Sequence, residues 1–163
     1  MPIGLPNPRY NHKVHSDPEI RNALLDNFSY WVNIRILRYA DVVLMYAEAA
    51  NEVGGTANTT AALNALNSVR ERARKGTLPA DNVLPNITTT DQDELRDAIR
   101  HERRIELAME HDRFFDLVRW GTAGSVLQSI GKAFVPGKHE ILPIPLTQIE
   151  ISKNVLEQNF GYN

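Results

Sequence analysis

Cysteine is missing from all 163 positions of the sequence. That absence removes disulfides, thiolate metal sites, cysteine nucleophiles and any lipid attached through a cysteine sulfur. Long hydrophobic runs are missing too, since no stretch approaches the roughly 18 consecutive apolar residues that mark a spanning helix. The opening Met1-Pro2-Ile3-Gly4-Leu5-Pro6-Asn7-Pro8 lacks a basic stretch followed by an apolar one, so it does not read as an export signal. Histidine spacing is wrong for a metal. His12 and His15 sit in a Pro- and Asn-rich stretch, and His101 and His111 lack the i,i+4 pattern that puts two imidazoles on one helical face. Neither a metal nor another cofactor is expected. No sign of charge is in excess: 18 Lys and Arg stand against 20 Asp and Glu, a net of −2, and the arginines are interleaved with acids. This distribution argues against a nucleic-acid partner.

What remains is the composition of a globular domain with a real core, 42% hydrophobic. Residues 1–33 read as a loop-rich leading segment punctuated by Pro2, Pro6, Pro8 and Pro18, with Asp17-Pro18-Glu19 placed to start a short helix over Ile20 to Leu25. Tyr10, Phe28, Tyr30 and Trp31 give this segment an aromatic share. Exposed rings of this kind stack on sugar faces or partner surfaces, so Tyr10, Tyr30 and Trp31 are ligand-contact candidates; buried, they would cap a core.

Periodicity predicts a helix from about Ile36 to Val53 with Tyr39, Val42, Val43, Tyr46, Ala49, Ala50 and Val53 on one face. Ala40, Leu44 and Ala47 lie beside that face, and Arg38, Asp41, Glu48 and Glu52 form a narrow polar strip. A helix so apolar around its circumference is expected to be central. Gly54-Gly55 ends it, and Asn58, Thr59 or Thr60 caps a second helix to Arg74 with the stripe Ala62, Leu63, Leu66, Val69 and Ala73. The pair makes a helical hairpin close in size to one tetratricopeptide unit of about 34 residues, which cannot bury both faces alone. Residues 75–89 read as a loop, and Thr90-Asp91-Gln92-Asp93 as the capped start of a third helix.

That third helix leads into the densest part of the sequence, Glu102-Arg103-Arg104-Ile105-Glu106-Leu107 through Arg113-Phe114-Phe115-Asp116-Leu117-Val118-Arg119-Trp120. At about 100° per residue, Leu95, Ala98, Ile99, Ile105 and Met109 form one stripe with Glu102 and Glu106 near its middle, so two carboxylates face the core. A buried carboxylate must be paired or must shift its pKa. Glu102, Arg104, Glu106, Arg113, Asp116 and Arg119 are therefore expected to form a structural ion-pair network. A sharper alternative makes Glu102 and Glu106 the acid and base of a glycosidase, which requires that they share an open cleft. Beyond Trp120-Gly121 a short helix over Ala123 to Ile130 is expected, then an extended proline-containing tail through Ile141-Leu142-Pro143-Ile144-Pro145-Leu146, with one turn at Thr147 to Ile151. Gln158 and Asn159 either bond sugars or cap backbone groups of the tail.

Several of these strings together carry a resemblance. Ile36-Leu37-Arg38-Tyr39-Ala40-Asp41-Val42-Val43-Leu44-Met45-Tyr46-Ala47-Glu48-Ala49, Leu66-Asn67-Ser68-Val69-Arg70-Glu71-Arg72-Ala73, Glu102 to Leu107, Arg113 to Gly121, Leu142-Pro143-Ile144-Pro145 and Gln158-Asn159-Phe160-Gly161-Tyr162 stand in the order found in the C-terminal region of the SusD/RagB family. Members of that family are surface lipoproteins with which Bacteroidetes capture glycans or peptides for a TonB-dependent transporter. The resemblance implies an all-α, tetratricopeptide-like helical domain over 34–163 that binds without chemistry. It also implies a glycan ligand, a SusC-like TonB-dependent transporter as partner, and an outer-membrane, cell-surface location for the parent protein. Family members are usually much longer and begin with a lipoprotein signal and Cys, so the chain is read as a C-terminal fragment or a short relative. Ligand contacts are then expected from loops such as 1–33, 75–89 and 131–140. A helical-repeat protein-interaction module remains a separate reading; it predicts an exposed apolar groove beside the 36–74 hairpin and self-association.

Overall fold

A computed structural model describes residues 11–14, 17–23, 33–75, 84–153 and 155–162. The described residues are helical with no strand among them, and the chain divides into two compact units, Met1–His111 and Asp112–Asn163.

The first unit opens with a 3-10 turn at His12–Val14 and a short helix, α1, at Pro18–Ala23. Pro18 occupies the first helical position, where its missing N–H is no loss, and the Asp17 carboxylate accepts from the Glu19 amide at 2.8 Å. Leu24 and Leu25, included in the expected helix, lie outside the described residues.

Helix α2 spans Tyr39–Val53 and α3 spans Thr56–Arg74. The hairpin between them turns at Gly54 and Gly55, both at positive φ (73° and 84°), a region that only glycine enters without strain. This turn brings α3 in three to five residues earlier than expected. Gly55 stands at its N-cap, while Asn58 and Thr60 bond back to the Gly54 and Thr56 carbonyls instead of capping.

The core face of α2 is only partly the one expected: Ala50 is buried and Val43 half-buried against the core, but the rest of that face is not. Ala40, Leu44, Ala47 and Asn51 point inward, at i, i+4, i+7 and i+11, whereas Tyr39, Val42, Tyr46, Ala49 and Val53 are exposed. The reason is steric: α2 packs both on α3 and on the helix at Gln92–Glu106 (α4), and its small alanines let two helices approach closely where its tyrosines would hold them apart. Asp41, expected on the polar strip, is buried and accepts from Arg103 at 2.8 Å. On α3, Ala62, Leu66 and Val69 are buried and Leu63 half-buried, as the stripe predicts, but Ala73 is exposed and Arg70 takes its place inside.

Helix α4, Gln92–Glu106, starts one residue later than a cap at Thr90 with Asp93 at the third helical position would place it, because Asp91 is the N-cap. The Asp91 carboxylate accepts from the amides of Asp93 and Glu94, while Glu94 itself accepts from Thr89 Oγ1. Leu95 and Ile99 close the core with Leu44, Ala47, Leu66 and Val69. Ile105 and Met109, assigned to the same stripe, are exposed. Ile105 projects well to one side of the Leu95–Ile99 axis, and Met109 lies beyond the end of the helix. Side chains hold residues 84–91, between α3 and α4, in place. Asn67 makes both amide bonds to Ile87, and Arg70 donates twice to the Pro85 carbonyl. Asn51 and Gln92 exchange amide bonds with each other's backbone.

The second unit has α5 at Arg113–Arg119, α6 at Ala123–Ser129 and α7 at Leu146–Ile151. Leu117, Ala123 and Phe134 form its small core. Residues 142–145 are extended, as their prolines require. The Gln158 amide clamps them by accepting from the Ile144 amide and donating to the Ile144 carbonyl, and Asn159 donates to Leu142 O. Both amides thus satisfy tail backbone.

Candidate ligand-binding site

A helix ends with carbonyls that have no partner of their own, and they carry partial negative charge. At the end of α4 cations meet them. Lys13 Nζ donates to Glu106 O at 2.6 Å and Ala108 O at 3.0 Å and pairs with the Glu110 carboxylate. Arg38, at the N-cap of α2, donates to Glu106 O, Glu106 Oε1 and Glu110 Oε2, each at 2.5 Å. Arg72 of α3 adds a second cation on Glu106 Oε1 at 2.6 Å. Burial opposes the charge on Arg38, but its bonds to Glu110 and Glu106 outweigh that and raise its pKa. Burial likewise pushes the Glu110 carboxyl up, and the bonds from Arg38 and Lys13 more than reverse this, leaving it below the ordinary 4.5.

Beyond the helix the backbone takes two left-handed steps, at Met109 (φ 67°) and His111 (φ 73°), with Glu110 between them turned towards Lys13 and Arg38. Left-handed conformation costs a residue with a side chain about 1–2 kcal/mol and concentrates at functional positions. Here it shapes a hollow of roughly 550 Å³. Ile34, Met109 and Val14 give it apolar walls, and Asn33, Arg35 and His111 supply polar groups. A second hollow of roughly 300 Å³ shares Lys13, Arg35 and Glu110 with the first and adds Arg38, Arg72 and Glu106. Arg35 is exposed and makes no ion pair among the described residues. Apolar walls with a few convergent polar groups are the usual make-up of a small-ligand site.

The carboxylates singled out in the sequence go separate ways. Glu102 is buried and accepts from Arg70 Nη1 at 2.6 Å, so it is sealed in the helix packing. Glu106 lines the second hollow between Arg38 and Arg72. An acid–base pair needs both groups on one open cleft, and this arrangement opposes that alternative. Their cations come from α2 and α3, not from the neighbouring Arg103 and Arg104. Arg104 is exposed and joins no ion pair among the described residues. In the second unit Asp116 is buried and accepts from Arg119 at 2.9 Å, and Arg119 and Arg113 lie over the Trp120 ring, 4.9 and 5.8 Å from its centroid. Tyr10, Phe28, Tyr30 and Trp31 lie outside the described residues, as do 76–83 of the 75–89 loop. The 131–140 loop borders a hollow of roughly 370 Å³ with Phe134, Gln128 and Glu140. Sequence reasoning missed Lys13, Arg35 and Arg72 as site residues; the signal present was the cationic pair Arg35 and Arg38 just before an apolar helix.

The groove expected beside the hairpin is present. Tyr39, Val42 and Tyr46 of α2 face Ala61, Ala65 and Ser68 of α3 across roughly 560 Å³.

The first unit is a tetratricopeptide-like helical hairpin closed by a third helix, with an open hollow at the end of that helix. The chain belongs to the SusD family, whose sequence model it matches over residues 27–162. It is 37% identical over 156 residues to SusD-like protein P25 of Formosa agariphila, covering 88% of this chain and 28% of that protein. To SusD-like protein P2 of the same organism it is 35% identical over 132 residues, covering 77% of this chain and 25% of the relative. Among solved structures it is similar to a laminarin binding SusD-like protein, at 38% identity and TM-score 0.58, over 78% of this chain and 23% of that one. It is also similar to a SusD homolog from Bacteroides thetaiotaomicron, at 33% identity and TM-score 0.61, over 78% and 26%. The chain thus spans about a quarter of the length of the curated relatives it matches.

Proposed function

We propose that this chain is the C-terminal helical part, over 34–163, of a non-catalytic glycan-binding protein that serves an outer-membrane uptake system together with a TonB-dependent transporter of the SusC type. The observation that carries the reading is the likeness to a laminarin binding SusD-like protein at 38% identity, joined to a hollow with the lining such a ligand needs. Sugar rings present apolar faces and hydroxyl edges at once. Ile34 and Met109 suit the first, Asn33, Arg35 and His111 the second. A surface-exposed location at the outer membrane follows from the same reading, because capture must precede transport.

A glycan array followed by titration calorimetry tests it, with Trp31→Ala and Glu102→Gln beside the wild type. Saturable binding of at least one oligosaccharide by the folded chain is expected, lost with a change in the leading segment or the hollow and kept when Glu102→Gln remains folded. A folded chain that binds no glycan overturns the proposal for this part of the protein. The α2/α3 groove favours a second reading, a helical protein-interaction surface, which predicts capture of a peptide or protein partner at Tyr39 and Tyr46.

A further inference from the structure

The two hollows at the end of α4 are unbalanced in charge. Their walls carry four cations, Lys13, Arg35, Arg38 and Arg72, against two carboxylates, Glu106 and Glu110. Each carboxylate is already held by two of the cations: Glu106 by Arg38 and Arg72, and Glu110 by Lys13 and Arg38. The excess rests on Arg35, which has no carboxylate among the described residues, and on Arg72, whose side chain is 58% exposed and spends one nitrogen on an oxygen shared with Arg38. The two hollows share Lys13, Arg35 and Glu110, and of these Arg35 alone makes no ion pair among the described residues. An exposed arginine that lines both hollows and has no ion pair among the described residues is suited to a carboxylate or sulfate, which a guanidinium engages through two parallel hydrogen bonds.

We infer that the site takes an acidic saccharide, with Arg35 receiving its carboxylate or sulfate, Arg72 adding to the field, and Ile34 and Met109 bearing on the apolar face of the adjoining ring. This rests on the glycan-binding reading and narrows its ligand class. Glu106 and Glu110 do not repel such a ligand strongly, because Arg38, Arg72 and Lys13 already neutralise their charge. The bonds from Arg38 to the end of α4 hold that neutralised cluster in place, and Arg35 lines the same two hollows with no carboxylate among the described residues.

The test is calorimetric titration of the full chain with three oligosaccharides of equal length: a neutral β-glucan, a uronate and a sulfated glucan. Wild type is expected to bind at least one acidic probe roughly tenfold more tightly than the neutral one, an advantage that shrinks as salt rises and the Debye length falls below about 10 Å. Arg35→Ala should bring the acidic-to-neutral ratio close to one and Arg35→Lys should restore part of it, whereas Lys132→Ala, which removes the same charge from the second unit, should leave it unchanged. Preference for the uronate alone or the sulfate alone identifies the group that Arg35 holds. Neutral and acidic probes bound equally, or a preference that survives Arg35→Ala, overturns this inference and leaves the glycan reading standing. Binding of none of the three by the folded chain overturns both.

Discussion

Burying Glu102 against Arg70 takes two charges out of water, a loss that their 2.6 Å contact offsets only while both partners remain. Arg70 also gives two bonds to the Pro85 carbonyl, so it holds the extended segment as well as the carboxylate. Glu102→Gln leaves the guanidinium without its counter-charge and should destabilise the first unit by about 3–5 kcal/mol in urea unfolding. Replacing both partners by leucine and methionine should recover only part of that, because the two bonds from Arg70 to Pro85 O are lost as well. A double variant less stable than the single one by more than those two bonds are worth would contradict the pairing. Glu110 makes a different, pH-dependent contribution. Its folded pKa lies below the ordinary 4.5, so its stabilisation is present above that value and is lost as pH falls through the folded pKa. The stability gap between wild type and Glu110→Gln should therefore be constant near neutrality and close on acidification below about pH 4.5.

Helix boundaries follow local chemistry. The Asp91 carboxylate satisfies two amides at the start of α4, and Asp91→Ala should cost about 1 kcal/mol and speed hydrogen exchange in that first turn. At the other end, Met109 is exposed at φ 67°, where glycine would sit without strain. Met109→Gly should raise thermal stability by up to about 1 kcal/mol, the relief of strain less the entropy glycine adds to the unfolded chain. It should also loosen the hollow and weaken glycan affinity. The start of α4 was legible because Asp91 acts on amides two and three residues away; its end, which no Gly or Pro marks, was not, and periodicity alone carries Met109 onto the helical stripe. The core face of α2 was not legible either. Its circumference is apolar on two sides, and only the approach of α3 and α4 selects Ala40, Leu44 and Ala47 over Tyr39 and Tyr46. Asp41 and Arg38 read as a polar strip for the same reason, since the partners that bury them, Arg103 and Glu106, lie 62 and 68 residues away. Lys13 is 93 residues from the Glu106 carbonyl it caps, beyond the reach of any local pattern.

At the scale of the whole molecule, each of the two units has its own small core, and the order of motifs along the chain was enough to place it in the SusD family. Scaffold motifs made the fold legible, while the hollow is assembled from three separate segments with no motif of their own. On the first unit the face with Tyr39 (82% exposed), Tyr46 (57%) and Val53 (76%) is broad and apolar. Such a face predicts concentration-dependent self-association of this chain, which Tyr39→Asp together with Tyr46→Asp should abolish in sedimentation velocity. The central claim is that a glycan sits at the end of α4. Its most direct test is to map backbone amide shifts of the isotope-labelled chain during titration with the best-bound oligosaccharide. Saturating shifts at Asn33, Ile34, Arg35 and at Met109 to His111 are the predicted result; shifts confined to the α2/α3 groove or the second unit, with those residues unmoved, would contradict it.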